Sequence, residues 1–205
     1  MGGVGDWVVF DYGKVLSTEQ PVADRRALVV AAGLDPDDAA AVDRFWAGYW
    51  RHRDPYDKAE LAVDRYWAAV LGEAPADVAA LDRADVATWS HPYEPTLRLV
   101  ERLAARGTGL ALLSNSPVSL AAAVDRLSWT DLVPHRFFSC RIGATKPDPA
   151  AYRAVLDGIG AAPGHVTFVD DRPANVVGAE AAGIRGVLFT DPAALAAELD
   201  LLGEW

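Results

Sequence analysis

The chain has 205 residues, 51% hydrophobic and 23% charged, enough apolar material for a packed core, which excludes a disordered polymer. Lys and Arg number 19 against 29 Asp and Glu, a formal charge of −10 at pH 7. Such a surface repels nucleic acid and anionic lipid, and no basic stripe interrupts it, so neither is expected as a partner.

The first residues, Met1 to Asp6, lack the basic start and apolar run of a signal peptide, and Asp6 stands where a myristoylation motif needs Ser or Thr. No segment is long and apolar enough to span a bilayer, and a cytoplasmic location is expected. Trp7-Val8-Val9-Phe10 reads as a buried strand and runs into Asp11-Tyr12-Gly13-Lys14.

From about Ser17 to His91 the patterns are helical and no strand is convincing. Breaks near Gly33-Leu34-Asp35-Pro36, Arg53-Asp54-Pro55 and Gly72 to Pro75 divide the interval into several helices. Its aromatics, among them Phe45, Tyr49, Tyr66 and Trp67, suit the core of an inserted subdomain. Arg51, His52, Arg53, Tyr56, Asp57 and Lys58 form a dense polar cluster there. Two readings stand side by side: a loop that selects substrate, and an ordinary solvated loop.

Pro95 to Arg106 carries a helical stripe of Leu99, Val100 and Leu103, with Gly107 placed to end it. A strand over Leu110 to Leu113 leads to Ser114-Asn115-Ser116, and a third strand is expected over Phe137 to Cys140. Cys140 is the single cysteine, so no internal disulfide is possible, and a small apolar role fits it. After Thr145-Lys146-Pro147, Asp148 reads as an N-cap and Pro149 as the first position of a helix buried along Tyr152, Val155, Leu156 and Ile159. Val166 to Val169 is a fourth strand and runs into Asp170-Asp171-Arg172. A helix from Pro173 to Ala182 ends at Gly183, and a fifth strand covers Gly186 to Phe189. This alternation predicts an α/β fold with an open parallel sheet, residues 1–16 and 92–205 forming the core and 17–91 a helical insert.

In such a sheet, ligands bind beyond the carboxyl ends of the strands. Asp11 and Asp171 lie there and offer oxygens to a hard cation such as Mg²⁺. Lys146 adds a point charge, and Ser114 and Asn115 offer neutral donors to phosphate oxygens. With a cation to mask repulsion, an Asp can attack phosphorus and form an acyl phosphate that water hydrolyses. Each residue also has a plainer reading. Asp11 is a strand-ending turn residue, Ser114 and Asn115 are helix caps, and Lys146 is a surface lysine. Asp170 and Asp171 complement a helix start, and Asn175 is helix structure near the site. His91 and His135 have no ligand spacing.

Val8-Val9-Phe10-Asp11-Tyr12-Gly13-Lys14-Val15-Leu16 resembles the first motif of the haloacid dehalogenase-like (HAD) superfamily. Leu112-Leu113-Ser114-Asn115 is similar to its second, Lys146-Pro147-Asp148-Pro149 to its third, and Phe168 to Asn175 followed by Ala182-Gly183-Ile184 to its fourth. All occur in family order over essentially the whole chain. The resemblance, to subfamily IA, implies a Rossmann-like core with a helical C1-type cap between the first two motifs. It implies Asp11 as nucleophile, Ser114 and Asn115 as phosphate contacts, and Lys146 as the charge clamp. The Mg²⁺ ligands would be Asp11, Asp171 with Asp170 assisting, and the Gly13 carbonyl. The nearest groups are glucose-1-phosphate phosphatases and the phosphatase domain of epoxide hydrolases. The substrate so implied is a small phosphorylated metabolite, sugar phosphates included, handled by a monomer or homodimer.

One position departs from the pattern. Where most family phosphatases carry a second Asp, this chain has Gly13, so the usual proton donor is missing and Gly13→Asp is expected to raise turnover on poor leaving groups. Lys14 is unusual beside it. The alternatives are a metal-independent 2-haloacid dehalogenase, a phosphonate-cleaving enzyme using Lys58, and a catalytically weak binding or regulatory protein. The pair Asp170-Asp171 weighs against the dehalogenase, because surplus carboxylates repel a carboxylate substrate.

Overall fold

A computed structural model describes residues 7–201. The opening Met1 to Asp6, read above as lacking a leader, lies outside the described residues.

Five parallel strands form one sheet: β1 (Trp7–Phe10), β2 (Gly109–Ser114), β3 (His135–Phe138), β4 (Val166–Asp170) and β5 (Arg185–Leu188), in the order β3-β2-β1-β4-β5. Side chains alternate across the strands. Val8, Phe10, Leu110, Leu112 and Val169 enter one core layer, whereas Val9, Ala111, Leu113 and Phe168 enter the other. Both faces are covered, which is why the strands read as continuous apolar runs. Phe10 is paired with both Leu112 and Val169, so Asp11 and Asp170 leave the same edge of adjacent strands.

The third strand lies two residues earlier than its apolar doublet suggests. His135 to Phe138 pair with Ala111 to Ser114, and Ser139–Ile142 then forms a short helix closed by Gly143 at φ +69°. The polar start is tolerated because His135 meets the Trp7 ring edge-on at 5.1 Å and Arg136 bonds Asp125 and the carbonyls of Thr130 and Val133. Around the sheet stand α6 (Glu94–Ala105), α7 (Val118–Val124), α8 (Ser139–Ile142), α9 (Pro149–Ile159), α10 (Pro173–Ala181) and α11 (Pro192–Glu198). The Asp148 side chain caps α9 by accepting from the Ala150 N–H, and Pro149 takes the position where no N–H is needed.

Five helices separate β1 from α6: α1 (Val22–Ala31), α2 (Ala39–Arg51), α3 (Arg53–Asp57), α4 (Val63–Leu71) and α5 (Val78–Trp89). They bury a cluster of their own, with Phe45, Tyr49, Tyr66 and Trp67 at its centre. The break expected at Arg53-Asp54-Pro55 falls at His52 instead. Those three residues begin α3, where Pro55 sits in the first turn and forfeits no hydrogen bond. The chain leaves the sheet and returns to it across one antiparallel bridge, Ser17 to Pro92, flanked by the Thr18 N–H to His91 carbonyl and Tyr93 N–H to Leu16 carbonyl bonds. No described helix is long and apolar enough to cross a membrane.

Candidate active site

At the carboxyl end of β1, the Asp11 N–H donates to the Val169 carbonyl, which holds the Asp11 backbone against β4. Lys146, in the loop before α9, is 5% exposed. Its Nζ lies 2.5 Å from Asp11 Oδ1 and 2.7 Å from Asp170 Oδ2. Asn115 fixes that loop from the end of β2, donating through Nδ2 to the Lys146 carbonyl and accepting the Lys146 N–H. Asp170 is fully buried and also accepts from the Arg172 N–H and from Asn175 Nδ2. Asp171 is half-buried beside it.

Asp11, Asp170 and Asp171 each offer an oxygen within 4.8 Å of the others. Lys146 bonds Asp11 and Asp170, while the charges of Lys14 and Arg172 also reach Asp171, and three carboxylates this close offer hard oxygen ligands, the donor set that suits a divalent cation. Burial, with Asp170 and Asp171 adding to it and Lys146 opposing it, pushes the Asp11 carboxyl up to about 7. Burial and then Asp170 raise Asp171. For Lys146, burial works toward a lower value, but the charges of Asp11 and Asp170 outweigh it and hold the ammonium protonated.

The cluster lies at the floor of a cavity of about 500 Å³ whose lining includes Gly13, Ser114, Asn115, Ser116 and Asn175. Ser114 Oγ is 2.6 Å from Ser116 Oγ. Lys14 adopts φ +62° and pairs with Glu19 at 3.2 Å on the rim. Beside Gly13 stands Trp89, which with Trp50 forms an aromatic wall.

Of the four cap residues singled out in the sequence, only Arg53 lines the cavity. It is buried, with Nη1 bonded to Tyr49 Oη and Asp85 Oδ2 and Nε 2.8 Å from Asp57 Oδ1. Tyr56 is not at the cavity, because its ring stacks on Tyr66 at 4.0 Å and its hydroxyl donates to Asp82. His52 is spent at the junction of α2 and α3, and Arg51 is exposed on the last turn of α2 outside the lining. The dense polar cluster is therefore half-buried structure rather than a solvated loop.

Residue patterns missed Trp50, Trp89 and Arg25 as lining residues, and also the grip of Asn175 on Asp170. The aromatic run Trp46-Ala47-Gly48-Tyr49-Trp50 was the available signal for Trp50, which as a residue stays 48% exposed. An aromatic side chain that remains open at a cavity is available to a ligand.

Comparison with known proteins agrees with this geometry. The model of the haloacid dehalogenase-like hydrolase family matches residues 7–183. Flavin mononucleotide hydrolase 1 of Arabidopsis thaliana is 34% identical over 105 residues, 51% of this chain and 43% of that protein, so the match spans less than half of that relative. A phosphatase of Mycobacterium tuberculosis is 28% identical over 189 residues, covering 88% of this chain and 85% of its own. A HAD family enzyme from Bacteroides thetaiotaomicron, solved with magnesium and inorganic phosphate, superposes with a TM-score of 0.71 at 17% identity over 90% of this chain and 93% of that one. With a family model spanning nearly all of the described residues and a fold shared with a solved member, the chain belongs to the haloacid dehalogenase-like hydrolases.

Proposed function

We propose that this hydrolase is a Mg²⁺-dependent phosphomonoesterase that works through an aspartyl phosphate on Asp11, with a small phosphorylated metabolite, such as a sugar phosphate, as substrate. The observation that carries the reading is the convergence of Asp11, Asp170 and Asp171, with Lys146 bonded to the first two. Phosphatases among the relatives support it, and magnesium with phosphate in the Bacteroides thetaiotaomicron enzyme is in keeping with it.

Asp11, Asp171, Asp170 and the Gly13 carbonyl would hold Mg²⁺, which when bound masks the charge of both nucleophile and phosphate. Lys146 opposes the burial that raises the Asp11 carboxyl and adds positive charge where phosphate oxygens arrive. Ser114 and Asn115 supply neutral donors, and Asn115 also orients the Lys146 backbone. An oxygen of Asp11 attacks phosphorus, the ester oxygen leaves, and water then hydrolyses the acyl phosphate. The inserted helices, residues 17–91, serve as a cap that limits the cavity to small substrates, with Arg53 and Trp50 on its inner surface.

The test is phosphate release from p-nitrophenyl phosphate with and without Mg²⁺, in wild type and Asp11→Asn. Mg²⁺-dependent release that disappears in the variant is expected. Halide release from a 2-haloacid without metal would replace this reading with the dehalogenase one.

A further inference from the structure

Gly13 leaves the reaction without its usual proton donor, and the cavity wall contains a second carboxyl suited to the task. Outside the Asp11 cluster, the described carboxylates of the lining are Glu19, Asp54 and Asp57. Glu19 has Lys14 at 3.2 Å as its partner. Asp54 receives the Thr145 hydroxyl at 2.6 Å and Lys58 at 2.9 Å, and these hold it below the usual carboxylate range. Asp54 is thereby held as a carboxylate, and Glu19 is occupied by its ion pair.

Asp57 differs. It is 5% exposed and shares one cation, Arg53, with Asp85. Asp85 is fully buried and is the better served of the two, taking Arg53 Nη1 at 2.8 Å and the Tyr49 hydroxyl at 2.6 Å. Asp57 Oδ1 lies 2.8 Å from Arg53 Nε but is not aligned for a hydrogen bond, and it has no other partner among the described residues. Two buried carboxylates against one guanidinium leave a surplus negative charge in a water-poor wall, and a proton is the cheapest way to remove it. That proton belongs on Asp57. Burial, then Asp85 and Asp54, raise its carboxyl against the pull of Arg53, up to about 6. Cys140, on α8, and Tyr66, on α4, are further titratable groups close enough to feel its charge. An arriving phosphate dianion would raise it further.

The position is also held firmly. The Asp57 carbonyl accepts the Ser139 hydroxyl at 2.6 Å, Ser139 Oγ accepts the Ser116 N–H at 2.8 Å, and Ser116 Oγ meets Ser114 Oγ. A short chain of hydrogen bonds thus ties the end of α3 to the residues that would contact phosphate.

We propose that Asp57, from the inserted helices, protonates the leaving oxygen of the substrate, the role that Gly13 cannot fill. The assignment rests on the phosphatase reading. As the Asp11 oxygen bonds to phosphorus and the P–O(ester) bond breaks, the Asp57 proton passes to the departing oxygen, which leaves as a neutral alcohol. Asp57, now a carboxylate, then takes a proton from the water that attacks the acyl phosphate, which restores both groups.

The experiment uses substituted phenyl phosphates, from p-nitrophenyl to unsubstituted phenyl, with wild type and Asp57→Asn. Loss of the acid should cost the variant about 10²-fold or more in kcat/KM on phenyl phosphate and little on p-nitrophenyl phosphate, whose leaving group needs no proton. Asp57→Glu should restore part of the phenyl phosphate activity. A uniform fall across the series, or no fall, would overturn the assignment and leave Asp57 as a structural partner of Arg53. Should the variants not fold, wild type decides alone. Its phenyl phosphate activity must decline above about pH 6 relative to its p-nitrophenyl phosphate activity, and parallel profiles overturn the assignment. Wild type inactive on the whole series with Mg²⁺ would instead remove the phosphatase reading beneath it.

Discussion

A Cβ on Gly13 would lie 3.3 Å from Cζ3 of Trp89, so the indole occupies the space into which a side chain at position 13 would grow. Trp89 is held there by its Nε1–H donating to Tyr49 Oη and by its carbonyl accepting the Tyr12 hydroxyl. The expectation that Gly13→Asp alone raises turnover changes accordingly. The single variant should gain nothing on phenyl phosphate and lose about 1–3 kcal/mol of stability to overpacking. Gly13→Asp combined with Trp89→Ala should recover turnover relative to Trp89→Ala. Steady-state kinetics and chemical denaturation of the three variants check this.

Among the described residues, Lys146 is the ammonium that bonds both Asp11 and Asp170. Lys146→Met should abolish activity and lower stability in EDTA by about 3–5 kcal/mol, the penalty for leaving buried charge unpaired. Mg²⁺ should return part of that loss, because it supplies the missing positive charge. Thermal unfolding with EDTA and with Mg²⁺ reads both effects; equal melting temperatures for variant and wild type in EDTA would contradict it.

Wild type should be stabilised by Mg²⁺, by about 2.7 kcal/mol at a concentration one hundred times Kd. Asp171→Asn removes one of the three carboxylates and leaves the Lys146 contacts to Asp11 and Asp170 in place. Its stability in EDTA should therefore stay near that of wild type, while its response to Mg²⁺ and its phosphatase activity fall together. Calorimetric titration with MgCl₂ would test the binding directly.

Stability should also depend on pH through Asp57. Its carboxyl stands at about 6 in the folded chain against 3.8 as the ordinary value. Between those values the folded state keeps a proton that the unfolded chain has released, so stability falls as pH rises. The favourable contribution is complete below pH 3.8 and is gone above about pH 6. Asp57→Asn cannot titrate. The difference in unfolding free energy between wild type and variant should therefore shift in favour of the variant by on the order of 2 kcal/mol from pH 4 to pH 7. A flat difference across that interval would contradict the burial argument.

Much of the core could be read from residue patterns. Apolar runs located β1, β2, β4 and β5 to within a residue or so, and the polar residues after them are those that meet at the sheet edge. Asp148-Pro149 announced α9 because a cap and a first-turn proline are local chemistry. The third strand was misplaced because its first two residues, His135 and Arg136, are polar and are satisfied by distant partners, Trp7 and Asp125. In the insert, Arg53 and Tyr56 looked alike as polar candidates, yet one lines the cavity and the other stacks inside the helices.

The sequence by itself determined the α/β class and the order of the elements, since these follow from periodicity and from short spacings along one strand or helix, and its resemblance to a family singled out Asp11, Ser114, Lys146 and Asp171. Only the tertiary structure decided that Trp89 closes the space at Gly13, that Asn115 grips Lys146, and that Asp57 lines the cavity with a single cation shared between it and Asp85. Those relationships join residues tens of positions apart, such as Asp57 and Ser139 at a separation of 82. Their energy comes from packing and from charge buried away from water, and neither exists until the chain has folded.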